Sequence, residues 1–209
     1  DYNVQSLRIA ARTKDNAKGK IPDDLIELSY PRYFSKYVSS ASKKYGISES
    51  IIYALIRSES FFDAKISSIK GANGLTQLMK PTADEEAKKL GLEEYDVNDP
   101  QTNINLGVHY LSSLISRSEG NSTLLALFAY NAGLSKVRSW VSMARDDWLT
   151  TGKHSSQITG ISMDLFLETI PFKETSEYGR KLTGAVALYN WIYKNESIAD
   201  TVRSILLTD

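Results

Sequence analysis

Between Ile51 and Glu59 the apolar residues recur at helical spacing: Ile51 and Leu55 share a face with Glu59, and Ile52 and Ile56 flank it. Phe34, Tyr37, Val38 and Ala41 predict a helix over 33–45 that Gly46 stops, and Ser48, followed by Glu49, is placed as the N-cap of the next. Val4, Leu7, Ile9 and Ala10 give a milder helical pattern over 2–13, ahead of a polar turn or mobile loop over 14–20. Tyr30-Pro31 marks a boundary, because a residue before proline avoids the helical region. Asp99-Pro100 opens a helix carrying Ile104, Val108, Leu111 and Ile115 on one face. From Thr123 to Tyr130 the chain is apolar nearly all round, which predicts a central buried helix capped by Ser122. Helices are also expected over 134–144 and 178–193, and from a Thr82-Ala83-Asp84-Glu85 capping box to Gly91. Two stretches lack helical period. Ile66 to Met79, with Gly71 and Gly74, predicts an extended loop or small β excursion, and Arg145 to Thr159 predicts a polar surface loop. The expectation is an all-α domain over 28–209, with 1–27 as a segment that is the tail of a preceding domain.

Composition narrows the function. Lys plus Arg and Asp plus Glu are 25 each, so no basic excess argues for nucleic acid or an anionic membrane surface. A hydrophobic content of 42% supports a core, and no apolar run approaches a membrane span. There is no cysteine, hence no disulfide or thiolate metal site, and His109 and His154 are too isolated for a metal. No cofactor is called for. The chain begins at Asp1 rather than methionine, as expected of a processed or excised piece whose address sequence lies elsewhere.

The candidate chemistry centres on Glu59. A carboxyl ending an apolar stripe pays desolvation when it ionises, and the C-terminal end of a helix dipole acts in the same direction. Its pKa should rise, which suits a general acid. The alternative is a glutamate that bends out to water. Asp63, four residues on, is expected to cap a turn rather than act as a second catalytic carboxylate.

Around Glu59 stand Glu59-Ser60, Gly71-Ala72-Asn73-Gly74-Leu75-Thr76-Gln77-Leu78-Met79, Asp99 to Gly107, Ala129-Tyr130-Asn131-Ala132-Gly133 and Ile170-Pro171-Phe172-Lys173-Glu174-Thr175. In this order and spacing the set resembles the catalytic domain of the soluble lytic murein transglycosylases, glycoside hydrolase family 23, which is also similar to goose-type lysozymes. The resemblance covers roughly Leu28 to Asn195. It implies a lysozyme-like fold, peptidoglycan glycan strands as substrate, a bacterial cell-envelope and periplasmic setting, and one glutamate serving as acid and then base. The product would be a 1,6-anhydro sugar. A hydrolytic muramidase and an inactive wall-binding module are the alternatives. Protein partners are not indicated.

Residue by residue, the resemblance places Ser68, Gln77 and Met79 along the groove, with Gln77 able to donate to and accept from an acetamido group. It places the Tyr130 hydroxyl near the acid, and Glu174 and Tyr178 in the groove. Taken alone, Gln77 reads equally as a loop-packing amide, Met79 and Tyr130 as core, and Glu174 as an acid favoured by a helix N-terminus. Asn131 is expected to cap its helix. The family pattern often has Pro where Ala64 stands and Arg where Ser176 stands.

Overall fold

A computed structural model describes the backbone over residues 2–150 and 173–206, and side-chain surroundings over 4–143 and 175–205. In chain order the helices are α1 (Tyr2–Asn16), α2 (Asp23–Ser29), α3 (Ser35–Tyr45) and α4 (Glu49–Ser60). After a two-stranded hairpin, β1 (Ala72–Asn73) and β2 (Leu78–Met79), come α5 (Lys80–Lys89), α6 (Pro100–Arg117), α7 (Thr123–Ala132), α8 (Leu134–Thr150), α9 (Lys173–Lys194) and α10 (Ile198–Leu206). The strands pair antiparallel, Ala72 opposite Met79 and Asn73 opposite Leu78. The all-α expectation holds, and the 66–79 excursion is this hairpin.

The apolar stripes account for the packing. On α4, Ile52 to Ile56 are all buried, and α9 is the helix packed most extensively along it. Each large apolar side chain withdrawn from water there contributes roughly 1.5–3 kcal/mol. Leu124 to Ala129 of α7 are buried, and α6, α8 and α9 all pack on that helix, as its all-round apolar sequence requires. A smaller cluster, Leu78, Ala83, Ala87 and Leu106, joins the hairpin to α5 and α6; Tyr110 and Tyr130 pack against both it and the main core. In α1, Val4, Leu7, Ala10 and Ala11 are buried, and Leu7 belongs to the main core. Among the described residues no helix is long and apolar enough to cross a membrane.

Two predicted caps form as expected. Asp99 accepts from the Thr102 N–H at 2.8 Å and Ser122 from the Leu125 N–H at 3.3 Å. Others do not. Ser48 holds the N-cap position of α4 without capping it, its hydroxyl taking Lys194 Nζ at 3.3 Å instead. The Thr82 capping box is overturned: β2 feeds straight into α5, Met79 is the N-cap, and Pro81 in the first turn has no N–H to satisfy. Helix α8 runs to Thr150, so 145–150 is helical where a loop was expected; 151–159 lies outside the described residues. Likewise α9 begins at Lys173, five residues before its apolar pattern, because charged residues form helix without showing a stripe.

Candidate active site

Glu59 sits in the last turn of α4, half-buried, and the turn that follows is unusual. Phe61 and Phe62 are both left-handed, at φ 51° and 63°, a conformation costing roughly 1–2 kcal/mol for each non-glycine residue. Local contacts offset that cost. The Phe62 ring is buried, edge-on to Tyr33 at 5.5 Å, and its N–H donates to Ser60 Oγ at 3.1 Å. Arg57 lies over the Tyr30 ring at 4.2 Å and the Phe61 ring at 5.1 Å, while its Nε donates to the Ser29 carbonyl at 2.8 Å. Asp63 accepts from the Lys65 N–H at 3.1 Å and faces Arg8 at 3.6 Å, which is the turn role expected of it.

The Tyr178 hydroxyl, carried by α9, donates to Glu59 Oε1 at 2.6 Å. Burial pushes the Glu59 pKa up from 4.5 to about 7, against the opposing pull of that hydrogen bond. The two tyrosine hydroxyls nearest this charge are held well above their ordinary pKa, first by burial and then by Glu59 itself, so both remain protonated donors. The Tyr130 hydroxyl does not bond the acid: it donates to the Thr76 carbonyl at 2.9 Å. The direct tyrosine partner of Glu59 is thus Tyr178, and Tyr130 stands within its electrostatic reach.

The hairpin brings up the other residues. Gln77 is left-handed at φ 49°, and its Nε2 donates to the Ile66 carbonyl at 3.1 Å and the Gly74 carbonyl at 2.9 Å. Both amide hydrogens are therefore spent on the loop. The side chain can accept from a ligand but not donate, which narrows the role expected from sequence. Ser68 is exposed, with Oγ accepting from the Ala72 N–H at 2.9 Å; Met79 is 43% exposed on β2. Glu174 lies in the first turn of α9, and its side chain is outside the described set. Asn131 does not cap α7, which continues to Ala132 and ends on Gly133. It is exposed and, with Ser58, Phe61 and Tyr178, lines a cleft of about 630 Å³ between α4 and α9.

Two features escaped sequence reasoning. His109 has an acidic neighbour that its place in the sequence did not indicate. Its Nδ1 lies 2.5 Å from Oε2 of Glu86, which is 1% exposed. Asn103 and Thr76, both buried, form the joint between α6 and the hairpin. Their only sequence signal was membership of motifs to which no role attached. Among the described residues there is no group of three or more potential metal ligands; His154 lies outside them.

Known proteins resemble this chain in sequence and fold. The soluble lytic murein transglycosylase of Salmonella typhimurium is 32% identical over 193 residues, covering 90% of this chain and 26% of the relative. That of Escherichia coli (strain K12) is 31% identical over 195 residues, with 91% and 26% covered. The solved 70-kDa soluble lytic transglycosylase in complex with bulgecin A matches with a TM-score of 0.76 at 28% identity, over 94% of this chain and 29% of that one. An inactive mutant of the lytic transglycosylase Slt from Pseudomonas aeruginosa gives 0.76 at 29% identity, over 94% and 30%. The fold is thus the lysozyme-like one, and the chain spans about a quarter of the length of the curated relatives it matches. The Transglycosylase SLT domain profile matches residues 36–148, more than half of the chain, taking in Glu59, the hairpin with Gln77, and Tyr130; the protein belongs to that family.

Proposed function

We propose that this domain is a lytic transglycosylase that cleaves the β-1,4 bond between N-acetylmuramic acid and N-acetylglucosamine in peptidoglycan, leaving a 1,6-anhydro-muramic end. The observation that carries the reading is the half-buried Glu59 carboxyl, with its pKa raised to about 7 and one oxygen held by Tyr178. Tyr178 occupies Oε1, so the labile proton belongs on Oε2. From there it passes to the glycosidic oxygen as the bond to C1 breaks and an oxocarbenium-like sugar forms. The resulting carboxylate then takes the proton of the muramic 6-hydroxyl, whose oxygen closes onto C1. The proton borrowed in the first step is returned in the second, and no water is consumed.

A second carboxylate beside the acid would favour other glycosidase mechanisms. Asp63, the nearest in sequence, is engaged by Arg8 and the Lys65 N–H. Gln77 accepts from an acetamido N–H, Ser68 and Met79 line the groove, Tyr178 orients the acid, and Glu174, at the start of α9, binds sugar or peptide. The relatives carry the name murein transglycosylase, and a solved one is a glutamate-to-glutamine mutant described as inactive. Both support the reading. So does a periplasmic setting, where murein is reached. Residues 28–209 form the catalytic unit, with 1–27 leading into it.

The test is the mass of the products from purified peptidoglycan. Anhydro ends are one water lighter than hydrolytic ends. Anhydro products lost in Glu59→Gln are expected; hydrated products would make the domain a muramidase, and no cleavage would leave a wall-binding module.

A further inference from the structure

We propose that Asn103 is a positioning residue for the reaction, holding Thr76 so that the Tyr130 hydroxyl is kept on the Thr76 carbonyl and away from Glu59. This rests on the lytic transglycosylase reading. Asn103 is 1% exposed, in the first turns of α6. Its Nδ2 donates to the Asn73 carbonyl at 3.1 Å and the Val97 carbonyl at 2.8 Å. Its Oδ1 accepts from the Thr76 N–H and the Thr76 hydroxyl, each at 2.8 Å. An asparagine side chain offers two donors and two acceptor sites, and all four are used, on the hairpin and on the segment before α6. The partners also determine the amide orientation, since carbonyls face one end and an N–H faces the other.

The backbone is shaped for this joint. A Cβ at Gly107 would overlap the Thr76 side chain, and one at Gly74 would overlap the Asn103 amide. Helix α6 and the hairpin therefore meet at a distance only glycine allows at both points. Fully buried Thr76 passes the constraint on in two directions. Its carbonyl takes the Tyr130 hydroxyl at 2.9 Å, and the residue after it is left-handed Gln77.

The consequence concerns the charge on Glu59. A hydroxyl donating to a carboxylate favours its ionised form. Tyr178 already does so through Oε1; a second donor on Oε2 would compete with the leaving-group oxygen and pull the acid toward ionisation. Among the described residues, the titratable groups acting on Glu59 include Tyr178 from α9, and those acting on Tyr130 are Glu59, Tyr110 from α6 and Glu86 from α5. Asn103 and Thr76 keep Tyr130 committed elsewhere.

The experiment compares wild type, Asn103→Ala, Thr76→Val, and Asn103→Ala with Tyr130→Phe, measuring kcat against pH for anhydro-product release and Tm on the same preparations. In Asn103→Ala the freed Tyr130 hydroxyl turns to Glu59. The alkaline limb of kcat should then move to lower pH by about half a unit or more, so that kcat at pH 7 falls at least about twofold. Adding Tyr130→Phe should return the limb toward its wild-type position. Thr76→Val loses one of the four bonds and should move the limb the same way by less, so it carries the test if Asn103→Ala does not fold. A lowered Tm with an unmoved limb in the folded variants overturns the proposal, as does a shift that persists without the Tyr130 hydroxyl. Wild-type protein that releases no anhydro product would instead refute the underlying reading.

Discussion

Glu59→Gln should make the fold more stable above neutral pH while removing turnover. Folding raises the Glu59 pKa from 4.5 to about 7, so the folded state binds this proton more tightly than the unfolded chain does. The group's contribution to stability is whole below about pH 4.5 and is lost as pH rises through about 7. The shift corresponds to about 3 kcal/mol at 1.36 kcal/mol per unit. Glu59 is partly exposed, and solvent screening reduces this to ~2 kcal/mol. The figure of about 7 already includes the pull of Tyr178, so no separate correction for that bond is due.

Glutamine has the same shape, keeps an oxygen for the Tyr178 hydroxyl, and never ionises. Urea unfolding of both proteins should show them within ~0.5 kcal/mol at pH 4.5, with the variant ahead by ~2 kcal/mol at pH 8.5 and a common m-value. In melting temperature the gain is about 4–8 °C for a domain of this size. Turnover should fall by at least about a hundredfold at every pH, the share assigned to general acid–base catalysis. Parallel stability curves for the two proteins would refute the desolvation of Glu59. A variant less stable than wild type at pH 8.5 would mean that the ionised carboxylate is stabilised by its surroundings, the reverse of what burial predicts.

Tyr178→Phe removes the donor that lowers the Glu59 pKa, so the alkaline limb of kcat should rise by up to about one unit, with a reduced plateau as Oε1 loses its anchor; a limb that stays in place would remove Tyr178 from the site. Leu7→Ala should cost roughly 2–5 kcal/mol in urea unfolding, because Leu7 lies 1% exposed in the main core. A loss below ~1 kcal/mol would show α1 to be only loosely part of the fold.

What the sequence disclosed follows from the range of the forces involved. Apolar periodicity is local, and the stripes on α3, α4 and α6 and the all-round apolar α7 were visible without any partner. Asp99 and Ser122 were legible for the same reason, since a cap bonds three residues on. Thr82 misled because strand pairing at Met79, set by contacts with β1, had already aimed the chain into a helix. Which tyrosine bonds the acid depends on α9 packing along α4, 119 residues away in sequence, and no local pattern carries that. Asn103 is harder still. A polar residue on a buried helix face looks like a defect in the stripe, and only its four partners reveal its use.

Under the proposed mechanism the raised pKa meets one requirement. A lone residue that must first give a proton and then take one back works best when its pKa is near the ambient pH. At the ordinary 4.5, about 0.3% of Glu59 would carry a proton at pH 7; at about 7 the fraction is about half, a gain of more than a hundredfold in the acid form. A much higher value would leave the acid reluctant to release its proton, and a lower one would leave a carboxylate too weakly basic for the proton return proposed above. Burial alone pushes in one direction only. The Tyr178 hydrogen bond supplies the opposing pull, while Tyr130, held on Thr76, withholds a second. Burial thus sets how far the pKa climbs, and Tyr178 sets how far it is drawn back. The instability of the ionised site at high pH is the thermodynamic counterpart of having an acid ready at neutrality.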